Sequence, residues 1–465
     1  MLMTFAEAAG LPFFEALRGG EAPEYRGFDS VCIDSRQAAP GTLFFALPGE
    51  KNDGHAFVRD AFMAGAAGAV VERSKVAVFA IAEAADEAAR RTGTRPVLLA
   101  ASAGEGQIAL LQALAAAYID RFPNLLRIGI TGSSGKTTTK ELAAAMIGAE
   151  RNAVWNAGNL NSDSGLPLSL FSVCAGHDVG IFEMGMNRKG EIAELAAVLR
   201  PKIALVTNTG SAHAGLVGGE RGVAVEKKAI FSMFTGKESA ILPETRAFDE
   251  LLADGVNGNI VRFGKTASKK FGGAESKGLY GSAIVWNGVT VNFALPGAHN
   301  LMNALAAAAV AEAAGISDNA IRTGMASAKP LFGRGEIIAG DVTVVRDCYN
   351  ANPDSMEQAV SLCDEADWNG RRVYVIGQML ELGGGSAAAH AALGERLAVS
   401  RADAVLLFGE EAEISYEKLR NMGSKFVFHT NSIDELRLKL RDCVKKGDMV
   451  LLKGSRSCAL ERVLP

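Results

Sequence analysis

The sequence predicts an α/β protein of three domains. Its 465 residues, at roughly 150 residues per domain, are too many for one compact module. Short apolar runs that read as strands alternate with Ala/Leu-rich segments of helical period along most of the chain. Hydrophobic residues make up 48% and charged residues 22%, which is ordinary globular usage and excludes fibrous and disordered classes.

The first domain is predicted over residues 1–101 as a small α/β unit. Strand-like runs between residues 30 and 72 surround a helical stretch at residues 56–68. A further helix is predicted from Gly106 to Phe122, because Pro123 ends the periodic pattern.

The central domain is predicted over residues 102–332, with a parallel sheet covered by helices on both faces. Buried strands (LLRIGIT, DVGIFEM, KIALVTN, SAILP) alternate with helices (KTTTKELAAAMIGA, KGEIAELAAVLR). The segment between Lys265 and Asn292 predicts an insertion of β-strands, a β excursion from the main sheet, and a helix is predicted after it from Asn300 to Ala314. A third, doubly wound domain of five strands and four helices is predicted over residues 333–465.

Charge and cysteine usage restrict the partners and the compartment. The balance of 48 Lys+Arg against 52 Asp+Glu leaves no bulk positive field for nucleic acid or an anionic membrane. Six cysteines without a CxxC pair indicate reduced thiols. No apolar stretch reaches the roughly 18 residues of a membrane span, and the N-terminus has no signal-peptide pattern. We therefore expect a cytoplasmic protein that neither binds nucleic acid nor inserts into a membrane.

The strongest motif is ITGSSGKTTTKELAAAM at residues 130–146, where a buried strand enters a glycine-rich turn that opens a helix. Backbone N–H groups in such a turn close on phosphate oxygens at the positive end of the helix. Lys136 is expected to reach the terminal phosphates and Thr137 to place its hydroxyl on Mg²⁺. Ile130 stands where the generic pattern has a glycine, so the loop is a shorter GxxGKT form. The predicted nucleotide contacts are Thr131, Gly132, Ser133, Ser134, Gly135, Lys136, Thr137 and Thr138.

Two strand ends add candidate magnesium neighbours. Glu183 ends an apolar strand, where a carboxylate would hold the metal beside the phosphates, although a surface glutamate at a strand end is common. A second strand delivers Asn208 and His213 to the same edge. His213 is a candidate neighbour of magnesium or of a carbamate, with a structural histidine as the alternative.

Taken together, these motifs resemble the Mur ligases of peptidoglycan synthesis over nearly the whole chain. The segments that carry the resemblance are TGSSGKTT, EMGMNRKGEI, NTGSAH, GVAVEKKAIF, LPGAHNLMNALAAA, FGRGE, DCYNANPDSM and KGSRS. The resemblance implies a three-domain Mur ligase architecture: an N-terminal domain that binds the UDP end of the substrate, a central ATP-binding P-loop domain, and a C-terminal Rossmann-like domain.

The resemblance also implies a reaction. ATP would phosphorylate the terminal carboxylate of UDP-N-acetylmuramoyl-tripeptide, and the amine of D-Ala-D-Ala would attack the acyl phosphate. GNLNSDSGLP and DCYNANPDSM favour this dipeptide addition over the sister reaction that adds the third residue, for which a histidine and a DNPR-like signature are expected. Another Mur ligase or a folylpolyglutamate synthase stays open as an alternative, as does a nucleotide-binding switch or transport ATPase. A monomer is expected.

Residue roles follow from the same resemblance. Lys227 matches a lysine that some members carbamylate with CO₂ to hold a second magnesium; the alternatives are a plain lysine paired with phosphate or Glu226, and a register in which Lys228 takes the role. The adenine site is expected at His299, Asn300 and Asn303, although an amide there can also cap the helix. Arg334 is expected to meet an ATP phosphate, and Asp347 to hold the ribose hydroxyls.

Substrate contacts are expected in all three domains. Ser35 and Arg36 would lie near the UDP end, together with the turn from Asn52 to His55. Lys453 and Arg456 could hold a peptide carboxylate, with a solvated turn as the alternative. The other expected substrate contacts are Asn159, Asn161, Arg188, Asn350 and Asn352.

Overall fold

The structure is a computed structural model that describes residues 1–12, 14–17, 26–49, 52–101, 106–210, 214–244, 248–423 and 426–464. The chain divides into two compact units. The first unit comprises Met1–Leu125, Val154–Met184 and Glu194–Arg200, and the second comprises Leu126–Ala153, Gly185–Ala193 and Pro201–Pro465. The predicted domain boundaries after residues 101 and 332 stay predictions.

The strands in the described residues are β1 Met3–Thr4, β2 Phe14–Ala16, β3 Gly27–Phe28, β4 Ser30–Cys32, β5 Thr42–Phe45, β6 Gly68–Val71, β7 Val97–Ala101, β8 Leu126–Thr131, β9 Ala153–Trp155, β10 Val179–Glu183, β11 Ile203–Val206, β12 Ser239–Pro243, β13 Asn259–Phe263, β14 Phe271–Ser276, β15 Ser282–Trp286, β16 Val289–Phe293, β17 Glu336–Ile338, β18 Thr343–Asp347, β19 Arg372–Gly377, β20 Ala404–Phe408, β21 Phe426–Thr430 and β22 Met449–Lys453.

The helices in the same residues are α1 Phe5–Ala9, α2 Val58–Met63, α3 Lys75–Val78, α4 Ile81–Thr92, α5 Gln107–Ile119, α6 Lys136–Gly148, α7 Gly165–Leu170, α8 Glu191–Leu199, α9 Ala214–Val217, α10 Gly219–Lys228, α11 Asp249–Ala253, α12 Ala298–Ala313, α13 Asp318–Ala326, α14 Pro353–Glu365, α15 Ser386–Ala398, α16 Ala412–Met422 and α17 Ile433–Cys443. None of them is long and apolar enough to cross a membrane.

The first unit contains a five-stranded sheet in the order β2-β7-β6-β5-β4. Its neighbours β4 to β7 run parallel and β2 is antiparallel. Strands β5 and β6 are buried along their whole length, as expected for short continuous apolar runs. Helices α2 and α4 pack together beside this sheet, with Phe44, Val58 and Phe62 in the shared core.

The second unit contains the parallel strand order β13-β12-β11-β8. The register pairs Thr131 with Val206, so the carboxyl ends of β8 and β11 lie side by side. Helix α6 packs on α12 and α13, and the alanines of α12 are almost all buried, which allows close helix approach. The predicted β excursion is confirmed as the antiparallel sheet β14-β15-β16.

A six-stranded sheet, in the order β17-β18-β22-β19-β20-β21, forms the C-terminal part of this unit. The five predicted strands of this region are confirmed and run parallel. The additional strand β17 pairs antiparallel with β18 and was not predicted. Three residues after a glycine turn are too few to show a period.

Candidate nucleotide and ligation site

The turn between β8 and α6 needs glycine at two positions. Gly132 and Gly135 have φ of 152° and 78°, a region that side chains rarely adopt. A Cβ atom at Gly132 would collide with the hydroxyl of Thr207, and one at Gly135 would collide with the amide oxygen of Asn303. The two glycines therefore serve both the turn and the close approach of neighbouring side chains.

The end of β11 holds the glycine-rich turn in place. Asn208 Oδ1 accepts a hydrogen bond from Ser134 N at 2.9 Å, and Asn208 Nδ2 donates to Ser134 O at 3.0 Å. Thr207 Oγ1 donates to the same carbonyl at 2.7 Å, and Ser133 Oγ donates to Gly210 O at 2.9 Å. The supporting role of Thr207 was not predicted, because it depends on the pairing of β8 with β11.

Lys136 and Thr137 open α6 at this turn. Lys136 Nζ lies 2.9 Å from the carbonyl of Gly132, so the ammonium folds back over the turn. Thr137 is buried, and Thr138 lies half-buried one residue further along. A lysine ammonium and helix N–H groups converge here, which is the arrangement that binds phosphate.

Helix α12 contributes a hydrogen-bonded chain of amides behind the turn. Asn300 Nδ2 donates to Pro296 O at 2.8 Å, and Asn303 Nδ2 donates to Asn300 Oδ1 at 3.1 Å. Thr139 Oγ1 donates to Asn303 Oδ1 at 3.4 Å. Asn303 therefore lies against the phosphate turn, where both a base contact and support of the turn are open to it.

Of the two adjacent lysines in α10, Lys227 is buried and Lys228 is half-exposed. Burial and the nearby charge of Lys136 hold the pKa of Lys227 well below its ordinary value. The carboxylate of Glu226 acts on this pKa in the opposite direction, and it also accepts from Gly190 N at 2.9 Å and from Ile192 N at 3.0 Å. Lys227 is thus a buried amine near Lys136, the lysine that is expected to bind phosphate.

In the first unit, Glu183 ends β10 and is held by asparagines. Asn161 Nδ2 donates to Glu183 Oε1 at 2.6 Å. Asn156, which was not predicted, accepts from Glu183 N at 2.9 Å and donates to Glu183 O at 3.2 Å. The predicted contact Asn159 is exposed, and so is Arg188, which belongs to the second unit. The asparagine-rich text around residue 159 was the only sequence signal for this network.

The segment before β17 carries three cation–π contacts, of which the longest is that of Arg456 with Phe332 at 5.9 Å. The guanidinium of Arg334 lies 4.1 Å from the ring centroid of Tyr349, and that of Arg346 lies 4.3 Å from the ring centroid of Phe332. A cavity of about 210 Å³ adjoins Arg334; it is also lined by Thr138, Glu141, Leu142, Ala145, Leu295, Ser327, Ala328, Lys329 and Leu331.

Asp347 and Lys453 form an ion pair at the carboxyl edge of the C-terminal sheet. Lys453 Nζ lies 3.0 Å from Asp347 Oδ2 and donates to Asn350 O at 2.6 Å. His299 faces both charges, and burial lowers its pKa below the ordinary value. The structure therefore brings together Asp347, Asn350, His299 and Lys453, while Arg456 pairs with Glu461 at 2.7 Å.

Asn352 connects the start of α14 with the phosphate turn. Its side chain caps the helix through Ser355 N at 2.8 Å, and its Nδ2 lies 3.4 Å from Ser134 Oγ. Gly210 lies against Asp354, where a Cβ atom would collide with the carboxylate. The C-terminal part of the second unit thus contacts the turn that is expected to bind phosphate.

Two clusters occupy the expected uridine region of the first unit. Arg36, next to Ser35, forms an ion pair with Asp34 at 2.6 Å, and its side chain is 88% exposed. The hydrogen bonds from Arg36 lower the pKa of Asp34 to about 2. His55 is buried, with Nδ1 2.6 Å from Asp53 Oδ1 and Nε2 accepting from Glu72 N at 2.8 Å. These contacts of His55 fix the turn.

His213 lies outside the described residues. Within the residues that are described, no group of three or more His, Cys, Asp or Glu side chains is arranged to hold a metal ion.

Three family models match successive parts of the chain. The model described as the Mur ligase family catalytic domain matches residues 28–102, the Mur ligase middle domain matches residues 130–311, and the Mur ligase glutamate ligase domain matches residues 333–456.

Similarity to individual proteins extends over the whole length. The chain is 40% identical to the UDP-N-acetylmuramoyl-tripeptide–D-alanyl-D-alanine ligase of Treponema pallidum, over 100% of this chain and 99% of that protein. Among solved structures, MurF from Acinetobacter baumannii superposes with a TM-score of 0.81 at 27% identity, covering 98% of this chain and 96% of that one. MurF from Thermotoga maritima, in complex with ADP, gives 0.76 at 28% identity, covering 94% and 96%. The chain belongs to the Mur ligase family.

Proposed function

We propose that this protein is the ATP-dependent ligase that joins D-Ala-D-Ala to the terminal carboxylate of UDP-N-acetylmuramoyl-tripeptide, forming ADP and phosphate. The observation that carries the proposal is the 40% identity to such a ligase over the whole of both chains. The phosphate turn, closed by Thr207 and Asn208, supports the ATP-dependent step.

The chemistry proceeds through an acyl phosphate. A carboxylate oxygen of the tripeptide attacks the terminal phosphorus of ATP, ADP leaves, and the dipeptide amine then displaces phosphate from the acyl carbon. Each stage gathers negative charge, so catalysis rests on positioning and electrostatic stabilisation. Lys136 supplies the mobile positive charge, and the N–H groups of the turn from Gly132 to Gly135 supply fixed dipoles.

Magnesium fits the donors that are present. The hydroxyl of Thr137 and the carboxylate of Glu183 are hard oxygen ligands of the kind that Mg²⁺ prefers. We assign each of these residues to the metal on the chemistry of its own oxygen donor; His213, the third residue expected there, lies outside the described residues. When bound, the ion neutralises charge on the transferred phosphoryl group.

We also propose that Lys227 is carbamylated. Only a neutral amine attacks CO₂, and the burial of Lys227 beside Lys136 favours the neutral form. The product, which loses one proton, is an anionic carbamate that replaces a repulsive cation with an oxygen ligand. With ¹³C-bicarbonate, the protein should show a carbamate carbon resonance that Lys227→Ala removes and Lys228→Ala retains. Loss of the resonance in the Lys228 variant alone would contradict the assignment.

The reaction is tested with a panel of UDP-tripeptides that differ in the third residue, each with ATP and D-Ala-D-Ala, followed by mass spectrometry of the product. We expect the UDP-pentapeptide as the product. The rate of phosphate release should stay close to zero until both the UDP-tripeptide and D-Ala-D-Ala are present. Rapid phosphate release from ATP alone would instead favour a switch or transport ATPase. Addition of a single amino acid to a UDP-dipeptide would favour a sister ligase.

The cytoplasmic location and the monomeric state stay predictions. Light scattering of the purified chain at working concentration measures the second of these.

A further inference from the structure

We propose that Lys453 is a positioning residue of the nucleotide site: its ammonium orients the carboxylate of Asp347 toward the ribose of ATP, and it does not bind a carboxylate of the peptide substrate. The inference rests on the proposed function and on the expectation from the sequence that Asp347 holds the ribose hydroxyls. It reassigns a residue that the sequence alone placed in the peptide site.

The placement follows from the sheet. Strands β18 and β22 are parallel neighbours, and the register sets Asp347 directly opposite Lys453 at their carboxyl ends. Lys453 Nζ reaches Asp347 Oδ2 at 3.0 Å and the carbonyl of Asn350 at 2.6 Å. Two of the three ammonium protons therefore point at the last residue of β18 and at the loop that follows it.

Exposure separates the two members of the pair. The side chain of Lys453 is 3% exposed, whereas that of Asp347 is 24% exposed. A buried ammonium requires a partner of opposite charge, so the lysine holds one carboxylate oxygen of Asp347 in a fixed position. The second oxygen of the Asp347 carboxylate can accept hydrogen bonds from the hydroxyl groups of a ligand.

The same edge offers another cation for a peptide carboxylate. Arg456 lies three residues further along the chain, its side chain is 51% exposed, and its partner is the carboxylate of Glu461. An exposed ion pair exchanges partners at little cost, while a buried one does not. The peptide role expected for Lys453 and Arg456 together therefore suits Arg456 alone.

The test compares Lys453→Met with the control Lys446→Met, which removes a lysine that is 81% exposed in the same sheet region. Calorimetry measures the dissociation constants of ATP and of 2′,3′-dideoxy-ATP for each variant, without ligation. We expect the parent and the control to prefer ATP by about tenfold to hundredfold, the usual effect of a charge-assisted hydrogen bond. Lys453→Met should lose most of that preference, and its KM for D-Ala-D-Ala should stay within about twofold of the parent value.

A double-mutant cycle with Asp347→Asn then tests whether Lys453 acts through Asp347. We expect Lys453→Met to add little to the loss of ribose preference in the Asp347→Asn background. If Lys453→Met does not fold, Lys453→Gln, which still donates to the Asn350 carbonyl, carries the same comparison.

Additive losses, an unchanged ribose preference in the lysine variant, or a selective rise in KM for D-Ala-D-Ala would each overturn the inference. A parent protein that binds ATP without preferring the ribose hydroxyls would overturn it as well. A parent that does not bind ATP would instead refute the proposed function, so the two failures are distinguishable.

Discussion

Lys136 and Lys227 show how burial changes the chemistry of one residue type. Lys136 lies in the glycine-rich turn, where its ammonium contacts the backbone carbonyl of Gly132. Lys227 is enclosed in α10, and the cost of burying its charge lowers its pKa. The first lysine is therefore suited to bind phosphate and the second to react as an amine.

The substitution Lys136→Ala should abolish ligation while the fold stays intact, because the side chain serves a loop rather than a core. We expect kcat to fall by more than about a hundredfold, as for removal of one preorganised donor to a developing charge. Initial rates together with circular dichroism and thermal melts measure both effects. Activity within tenfold of the parent, in a protein with an unchanged melt, would contradict the assignment.

The substitution Asn303→Ala should raise the KM for ATP and leave that for the UDP-tripeptide nearly unchanged. Loss of a buried amide hydrogen bond costs about 1–3 kcal/mol, which corresponds to roughly tenfold to hundredfold weaker binding. The control Asn319→Ala removes an exposed amide on α13 and should have no effect.

Inorganic tripolyphosphate distinguishes the two roles that are open to Asn303. If the amide contacts the base, Asn303→Ala should leave tripolyphosphate binding unchanged. If the amide instead supports the turn through Gly135, the same substitution should weaken the binding of tripolyphosphate as well as that of ATP. A selective loss of affinity for the UDP-tripeptide would contradict the assignment of Asn303 to the nucleotide site.

At the scale of the element, α6 shows that the position of a glycine decides its substitution effect. Gly135 precedes the helix with φ of 78° against Asn303, whereas Gly148 ends the helix with open space around it. The same change, glycine to alanine, therefore meets strain at one end of α6 and gains helix propensity at the other.

We expect Gly135→Ala to weaken ATP binding by at least about tenfold, because the turn must move to admit the methyl group. Gly148→Ala, the matched control, should leave ATP binding unchanged. It should raise the free energy of unfolding by about 1 kcal/mol at most. Calorimetric titration and thermal melts of both variants measure these effects. Equal nucleotide affinity in the two variants would contradict the strain argument.

At the scale of the whole molecule, one ATP would be bound from both sides of a glycine hinge. Lys136 and Asn303 precede the hinge and Asp347 follows it, while Gly333 and Gly335 have φ of 66° and 70°. Asn352, at the start of α14, contacts Ser134 in the glycine-rich turn. Closure of this kind would exclude water from an acyl phosphate.

We therefore expect the region from residue 333 onward to move as a rigid body when nucleotide binds, because contacts on both sides of the hinge favour the closed arrangement. Small-angle scattering with a non-hydrolysable ATP analogue and UDP-tripeptide should show a smaller radius of gyration than the free protein, and Lys136→Ala should not show the change with the nucleotide analogue. An unchanged radius at saturating ligands, in a protein shown to bind both, would refute closure.

Local pattern was sufficient for most elements and for the phosphate turn. The strand, glycine turn and helix around residues 130–146 lie where their periodicity predicts them, and so do the five parallel strands of the C-terminal sheet. These features depend on residues that are neighbours in the chain, so the sequence alone determines them.

Only the tertiary structure decided which side chains meet. Two examples are the support of Ser134 by Thr207 and Asn208 and the pairing of Lys453 with Asp347. The partners are up to about a hundred residues apart in sequence. They meet because the strands that lead to them are adjacent in a sheet. Strand order and register create these contacts, and both depend on long-range packing that no short sequence pattern encodes.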